Sequence, residues 1–144
     1  MKYLRQDERQ TWLLDDYLAH VASISEGWPD DLKDLASLRR LHLSERGSLH
    51  DAWLQSSRID SGDLRQKHAE ANIEIVLLGA YHDRCFRQRY LGVVEYRLDS
   101  QEPRDDLLVH EIHREGDLWV HEMLFASGST VHIRCRSMEF RESM

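Results

Sequence analysis

From Leu49 onward the chain alternates apolar and polar residues in short runs, each ended by Gly, Asp, Ser or Pro. Runs of this length and period form strands rather than helices. Six strands are predicted, near residues 50–59, 72–81, 84–97, 106–115, 118–126 and 130–140. Gly116 and Gly128 mark tight turns, and His82-Asp83-Arg84 suits a third, since His and Asp tolerate turn geometry. Asp60–Asn72 reads as a long polar connection in which Leu64–Ala71, made of good helix formers, can hold a short helix. Ser100–Arg104, with Pro103, reads as a loop.

The first third follows another period. Leu14, Tyr17, Leu18, Val21 and Ile24 share one helical face, with Asp7 as the expected cap and Gly27 as the stop. Pro29-Asp30-Asp31 suits the first turn of a second helix, whose stripe is Leu32, Leu35, Ala36, Leu38 and Leu41. The expected architecture is α+β: one domain over residues 1–144, helical to about residue 46, then a β-meander over about 49–140. Two N-terminal helices then pack on a curved, mostly antiparallel sheet of about six strands.

Treating both late hairpins as two-residue loops assigns the faces. One carries Leu107, Val109, Glu111, His113, Leu118, Val120, Glu122, Leu124, Val131, Ile133 and Cys135. The other carries Leu108, His110, Ile112, Trp119, His121, Met123, Phe125, His132, Arg134 and Arg136. The first is more aliphatic and is the expected inner face. A one-residue bulge would swap part of the assignment. The second, also apolar in part, is then left uncovered by two short helices, which predicts a twofold homodimer or a protein-binding patch at Trp119, Met123, Phe125, Arg134 and Arg136. Closure of the sheet into a barrel-like sandwich is the alternative.

Composition excludes several partners. The net charge of −7 opposes binding to nucleic acid or an anionic membrane. Sixteen of 19 basic residues are Arg, which a GC-rich genome produces without function. The longest apolar run, Ile75–Tyr81, falls far short of the ~18 residues of a spanning helix. Met1–Asp7 has no apolar core of the secretory kind. Cys85 and Cys135, fifty positions apart, form neither a disulfide framework nor a zinc pattern, so both are expected free in a reducing cytoplasm.

Four of nine histidines directly precede an acid: His50-Asp51, His82-Asp83, His110-Glu111 and His121-Glu122. Imidazole with carboxylate is the chemistry of zinc and non-haem iron sites and of general acid–base catalysis. His110-Glu111-Ile112-His113 is no zincin motif, because its histidines are three apart and a strand would point them to opposite sides. Across the hairpin, His110 lies opposite His121 if Glu115-Gly116 turn, and Glu111 opposite Glu122 if Gly116-Asp117 turn. Facing carboxylates repel unless a cation, an Arg or water separates them. A metal-binding protein or metal-dependent hydrolase built on His110, Glu111, His121 and Glu122, with His50 or His82, is the second functional reading. Otherwise no cofactor and no catalytic residue is expected.

Leu49-His50-Asp51-Ala52-Trp53-Leu54 opens the β-region, and Tyr90-Leu91-Gly92-Val93 follows a hairpin. Over about Leu49–Met138 this resembles a loose group of small bacterial β-rich proteins, some similar to immunity proteins of polymorphic toxin systems. The resemblance implies a cytoplasmic, non-enzymatic protein that binds a protein partner. His50 and Asp51 are expected to have a structural role, fixing the start of a strand through backbone hydrogen bonds.

Overall fold

In the computed structural model, which describes residues 1–42, 45–60, 70–99 and 105–144, the alternating segments form one six-stranded antiparallel sheet. A short hairpin of β1 (Arg5–Gln6) and β2 (Trp12–Leu13) comes first, then helices α1 (Asp15–Ile24) and α2 (Asp30–Leu35) and a 3₁₀ turn at Leu38–Arg40. The sheet strands are β3 (Trp53–Asp60), β4 (Ala71–Leu78), β5 (Cys85–Leu98), β6 (Leu107–Glu115), β7 (Leu118–Phe125) and β8 (Thr130–Ser143). Their order is β3-β4-β5-β8-β7-β6, so the chain leaves β5 for the far edge and returns strand by strand. The sheet is therefore not the simple meander expected. The predicted Leu64–Ala71 helix and the Ser100–Arg104 loop fall wholly or largely outside the described residues.

The two edges meet at one end. Trp53 bridges Asp106, Asp51 N–H donates to the Leu107 carbonyl (2.7 Å), and Leu107 N–H donates to Ala52 (2.9 Å). Sheet twist makes such curling natural. The concave face is filled: Phe86, Tyr90, Ile112, Phe125 and Ile133 are all fully buried and join Tyr17, Leu32 and Leu35 in one core. α2 is tied to β8 by the Phe140 N–H, which donates to Asp31 Oδ2 at 2.8 Å. Trp28 meets Trp119 edge-on, 4.9 Å between ring centroids.

The expected face assignment fails at one hairpin. The β6–β7 turn is the two-residue Gly116-Asp117, pairing Glu115 with Leu118. The β7–β8 pairing of Leu124 with Thr130, with Phe125 N–H bonded to Ser129, leaves three loop residues, Ala126–Gly128. Gly128 (φ +90°) supplies the left-handed position that such a loop needs. One extra residue reverses the parity, so Val131, Ile133 and Cys135 share a face with Trp119, His121 and Met123. Trp119, Met123 and Phe125 are consequently 5%, 1% and 0% exposed: they are core, and the apolar patch expected of them is not on the surface. A twofold contact would have to use another surface.

A second correction concerns Asp7. It does not cap α1, which begins eight residues later behind Leu14. Asp7 instead closes the β1–β2 turn, its Oδ1 accepting from Arg9 and Thr11 N–H, both at 2.9 Å. Leu38, assigned to the α2 stripe, is exposed because the chain has already tightened to 3₁₀ there. Both cysteines are free, Cys135 buried and Cys85 half-buried. Burial pushes the Cys135 thiol up to about 12. An aromatic-disulfide reagent at pH 8 should therefore titrate two thiols in denatured, unreduced protein. In native protein only Cys85 should react quickly, with Cys135 following at the unfolding rate; two fast thiols would contradict the burial.

Candidate functional site

Two of the four His–acid pairs singled out from the sequence, His110-Glu111 and His121-Glu122, lie on β6 and β7, where strand alternation separates their members. Glu111 pairs with Glu122 and His132 in one cross-strand row, and Ile112 with His121 and Ile133 in the next. His110 and His121 thus point into the core, while Glu111 and Glu122 point to the outer face. The four residues of the metal reading are divided by the sheet itself. Among the described residues no group of three or more His, Cys, Asp or Glu is placed to hold a metal ion.

Inside, the two imidazoles belong to a buried chain. Tyr90 Oη lies 2.7 Å from Gln88 Oε1 and 2.6 Å from His121 Nδ1, and His121 Nε2 lies 3.2 Å from His110 Nδ1. All four residues are at most 1% exposed. If Tyr90 donates to Gln88, then Gln88 Nε2 is left without a partner at one end and His110 Nε2 at the other. Turning the amide over satisfies more groups. Gln88 Nε2 then donates to Tyr90, Tyr90 to His121 Nδ1, and His121 Nε2–H to His110 Nδ1. The nearby Arg40 carbonyl favours the protonated His110 ring. Burial outweighs that carbonyl and pushes His110 down to about 4; burial, then His110 and His113, push His121 well below its ordinary value. Burial also raises the Tyr90 hydroxyl. At neutral pH the chain is uncharged and closed to solvent, and it orders the core.

Outside, the facing carboxylates are kept apart by the N-terminal strap. Glu111, fully buried, accepts from the backbone N–H groups of Lys2, Tyr3 and Leu4 at 2.8–3.1 Å. Its Oε1 also lies 3.3 Å from His113 Nδ1. The Met1 nitrogen is 3.3 Å from Glu122 Oε2. Tyr3 stacks on His20 (3.8 Å between centroids) and meets His113 edge-on, which seats the strap between α1 and β6. Tyr17 Oη accepts from Ile112 N–H at 3.1 Å, at the free edge of β6. Burial alone would raise Glu111, but His113 and the strap N–H groups overcome it and hold the carboxyl below its ordinary range.

His50 Nδ1 is bonded to the Leu108 carbonyl at 2.9 Å, and Asp51, at φ +62°, turns the chain toward Leu107 just before β3. His82 sits in the β4–β5 turn at φ +58° with its ring edge-on to Trp53. Arg134 spans Glu95 (2.9 Å) and Glu115 (3.1 Å), and Arg136 binds Glu70 (2.8 Å). Sequence reasoning did not identify Gln88, Tyr90, the strap, or Arg40. Arg40, 2% exposed, binds Asp34 (2.6 Å), Glu142 (3.3 Å) and the Gly47 carbonyl (2.8 Å), with Phe140 beneath its guanidinium. Tyr3-Leu4 ahead of the polar Asp7–Gln10 turn was the available signal for the strap.

No protein-family model, curated protein or solved structure matches the chain.

The pH dependence of stability follows from the two histidines. Unfolded, both titrate near 6.5; folded, His110 titrates near 4 and His121 is lowered in the same sense. The unfolded chain binds more protons between these values, so stability is full above pH 6.5 and falls as pH drops toward 4. His110 alone accounts for on the order of 3 kcal/mol. Urea unfolding from pH 7.5 to 4.5 should show this loss, and His110→Gln with His121→Gln should flatten it; a level wild-type profile would refute it. The Glu111 contribution is lost only below its ordinary 4.5, a separate window. Glu111→Ala should cost about 2–4 kcal/mol at pH 7 and speed amide exchange at Lys2–Leu4, because charge-assisted bonds to three donors disappear.

Proposed function

We propose that the protein is a non-catalytic, cytoplasmic protein-binding domain of the immunity type. One observation carries the reading: the sheet parts the His–acid pairs, spending the imidazoles on core order and the carboxylates on holding the strap. His110, His121 and Glu111, three of the four side chains of the metal reading, are buried and engaged in the fold, and the concave face, where a small-molecule site would be expected, is packed with aromatic and aliphatic side chains. What stays free is charged outer surface, and charged surface steers and discriminates protein partners. The Leu49–Leu54 resemblance points the same way.

Growth rescue tests this. Co-expression with a toxin encoded beside the gene should relieve growth arrest and give a stoichiometric complex on size exclusion. Failure to protect against or to bind any adjacent gene product would overturn the reading.

A further inference from the structure

β3, β4, β5 and β8 present a row of charges on the outer face. Cross-strand pairing sets Arg58 opposite Glu74, Glu74 opposite Arg89, and Arg89 opposite Glu139, so signs alternate along that row. The next row breaks the rule: Arg87 and Arg141 face one another directly, with uncharged Val76 beyond Arg87. Among the described residues Arg87 reaches only Glu74, at 3.8 Å, and no carboxylate lies within ion-pair distance of Arg141. Both arginines line a depression of about 250 Å³, with Arg58, Arg89, Glu74 and Glu139 around it. Arg58 is paired with Asp60 at 3.3 Å. Among the described residues, four guanidinium groups against three carboxylates leave one positive charge uncompensated, at the Arg87–Arg141 pair.

Like charges directly opposite on a sheet destabilise it. An acid at residue 87 or 141 would have continued the alternation, and none is present. The geometry points to Arg87 and Arg141 as the binding site for a single carboxylate, the Asp or Glu side chain of a partner protein. The fork of each guanidinium donates paired N–H groups to a planar carboxylate. A single excess charge suits one carboxylate rather than a polyanion, and the chain's −7 disfavours nucleic acid. The inference rests on the protein-binding reading and supplies the chemistry of the partner.

The two are tested separately, because the site can be titrated without the partner. The probes are the peptide acetyl-Gly-Ser-Glu-Ser-Gly-amide, its Gln counterpart and inorganic phosphate, each followed through the arginine Nε–H resonances. The Glu peptide should shift Arg87 and Arg141 saturably, the Gln peptide should not, and phosphate should bind more weakly. Arg87→Gln and Arg141→Gln should each weaken the Glu peptide at least about fivefold. Arg141→Gln should also raise the melting temperature of the unbound protein by about 1–3 °C, since it removes the repulsion. Equal shifts at Arg97 and Arg136, preference for phosphate, or a melting temperature lowered by Arg141→Gln would each overturn the assignment. Growth rescue that survives in the Arg87→Gln/Arg141→Gln double variant would overturn the site while leaving the protein-binding reading intact. A titration that succeeds where rescue fails would do the reverse.

Discussion

A carboxylate with no exposure to water dictates much of this structure. Glu111 sits on the outer face of β6, opposite a second glutamate, in a place where a bare charge is costly to bury. It is tolerated because three consecutive backbone N–H groups converge on it from Lys2, Tyr3 and Leu4. Those donors exist only if the chain's first residues lie across the sheet. The strap in turn brings Leu4 into the core and Tyr3 onto His20 and His113. One ionised side chain therefore binds the first residues of the chain to a strand more than a hundred positions later.

Arg40 applies the same logic with the opposite charge. Its guanidinium is dry, so every donor needs an acceptor, and these come from three places in the chain: Asp34, the Gly47 carbonyl and Glu142. Phe86 and Phe140 take up the flat faces. Glu142 also receives Arg84 at 2.8 Å, which ties the end of β8 to the β4–β5 turn. Pairs of this kind are weak sources of net stability beside a hydrophobic replacement, and breaking one partner is expensive. Their effect is to admit one arrangement of segments that hydrophobic packing alone would let slide. Between the two sites the Gln88–Tyr90–His121–His110 chain crosses the core under the same rule.

Strand positions were legible because alternation and turn residues are local signals: all six predicted strands occur, with boundaries moved by only a few residues. Which face each strand buries was not legible, because it depends on one loop residue between Phe125 and Ser129. That miscount sent Trp119, Met123 and Phe125 outward on paper, and with them the expected patch. A related shift occurs within β8 itself, where buried positions run odd through Cys135 and even from Met138 onward, beside Gly92 at φ +63° on β5. The sequence did pose the Glu111–Glu122 problem, since like charges facing across a hairpin require a third party. It did not reveal that the third party is backbone, because N–H groups leave no trace in a residue pattern. Tyr90 was illegible for a related reason: its imidazole partner, His121, lies on β7, and a contact of that sequence range is written in no local window.

The use of polar groups explains where function can reside. A His–acid doublet on a strand is divided by geometry, one member to each face, so its repetition across β6 and β7 builds two separate layers rather than one site. Each layer here is closed by a different part of the chain, the inner by Tyr90 and the outer by the strap. With those groups committed, the part of the outer face away from β6 and β7 is used by neither layer. On β4, β5 and β8 the outward positions carry charge in cross-strand order, with most signs matched and one pair not. Matched pairs on an exposed sheet are close to neutral in energy and discourage adventitious contact. An unmatched pair is held at a small cost in the isolated protein, and that cost is recovered only when an anion arrives.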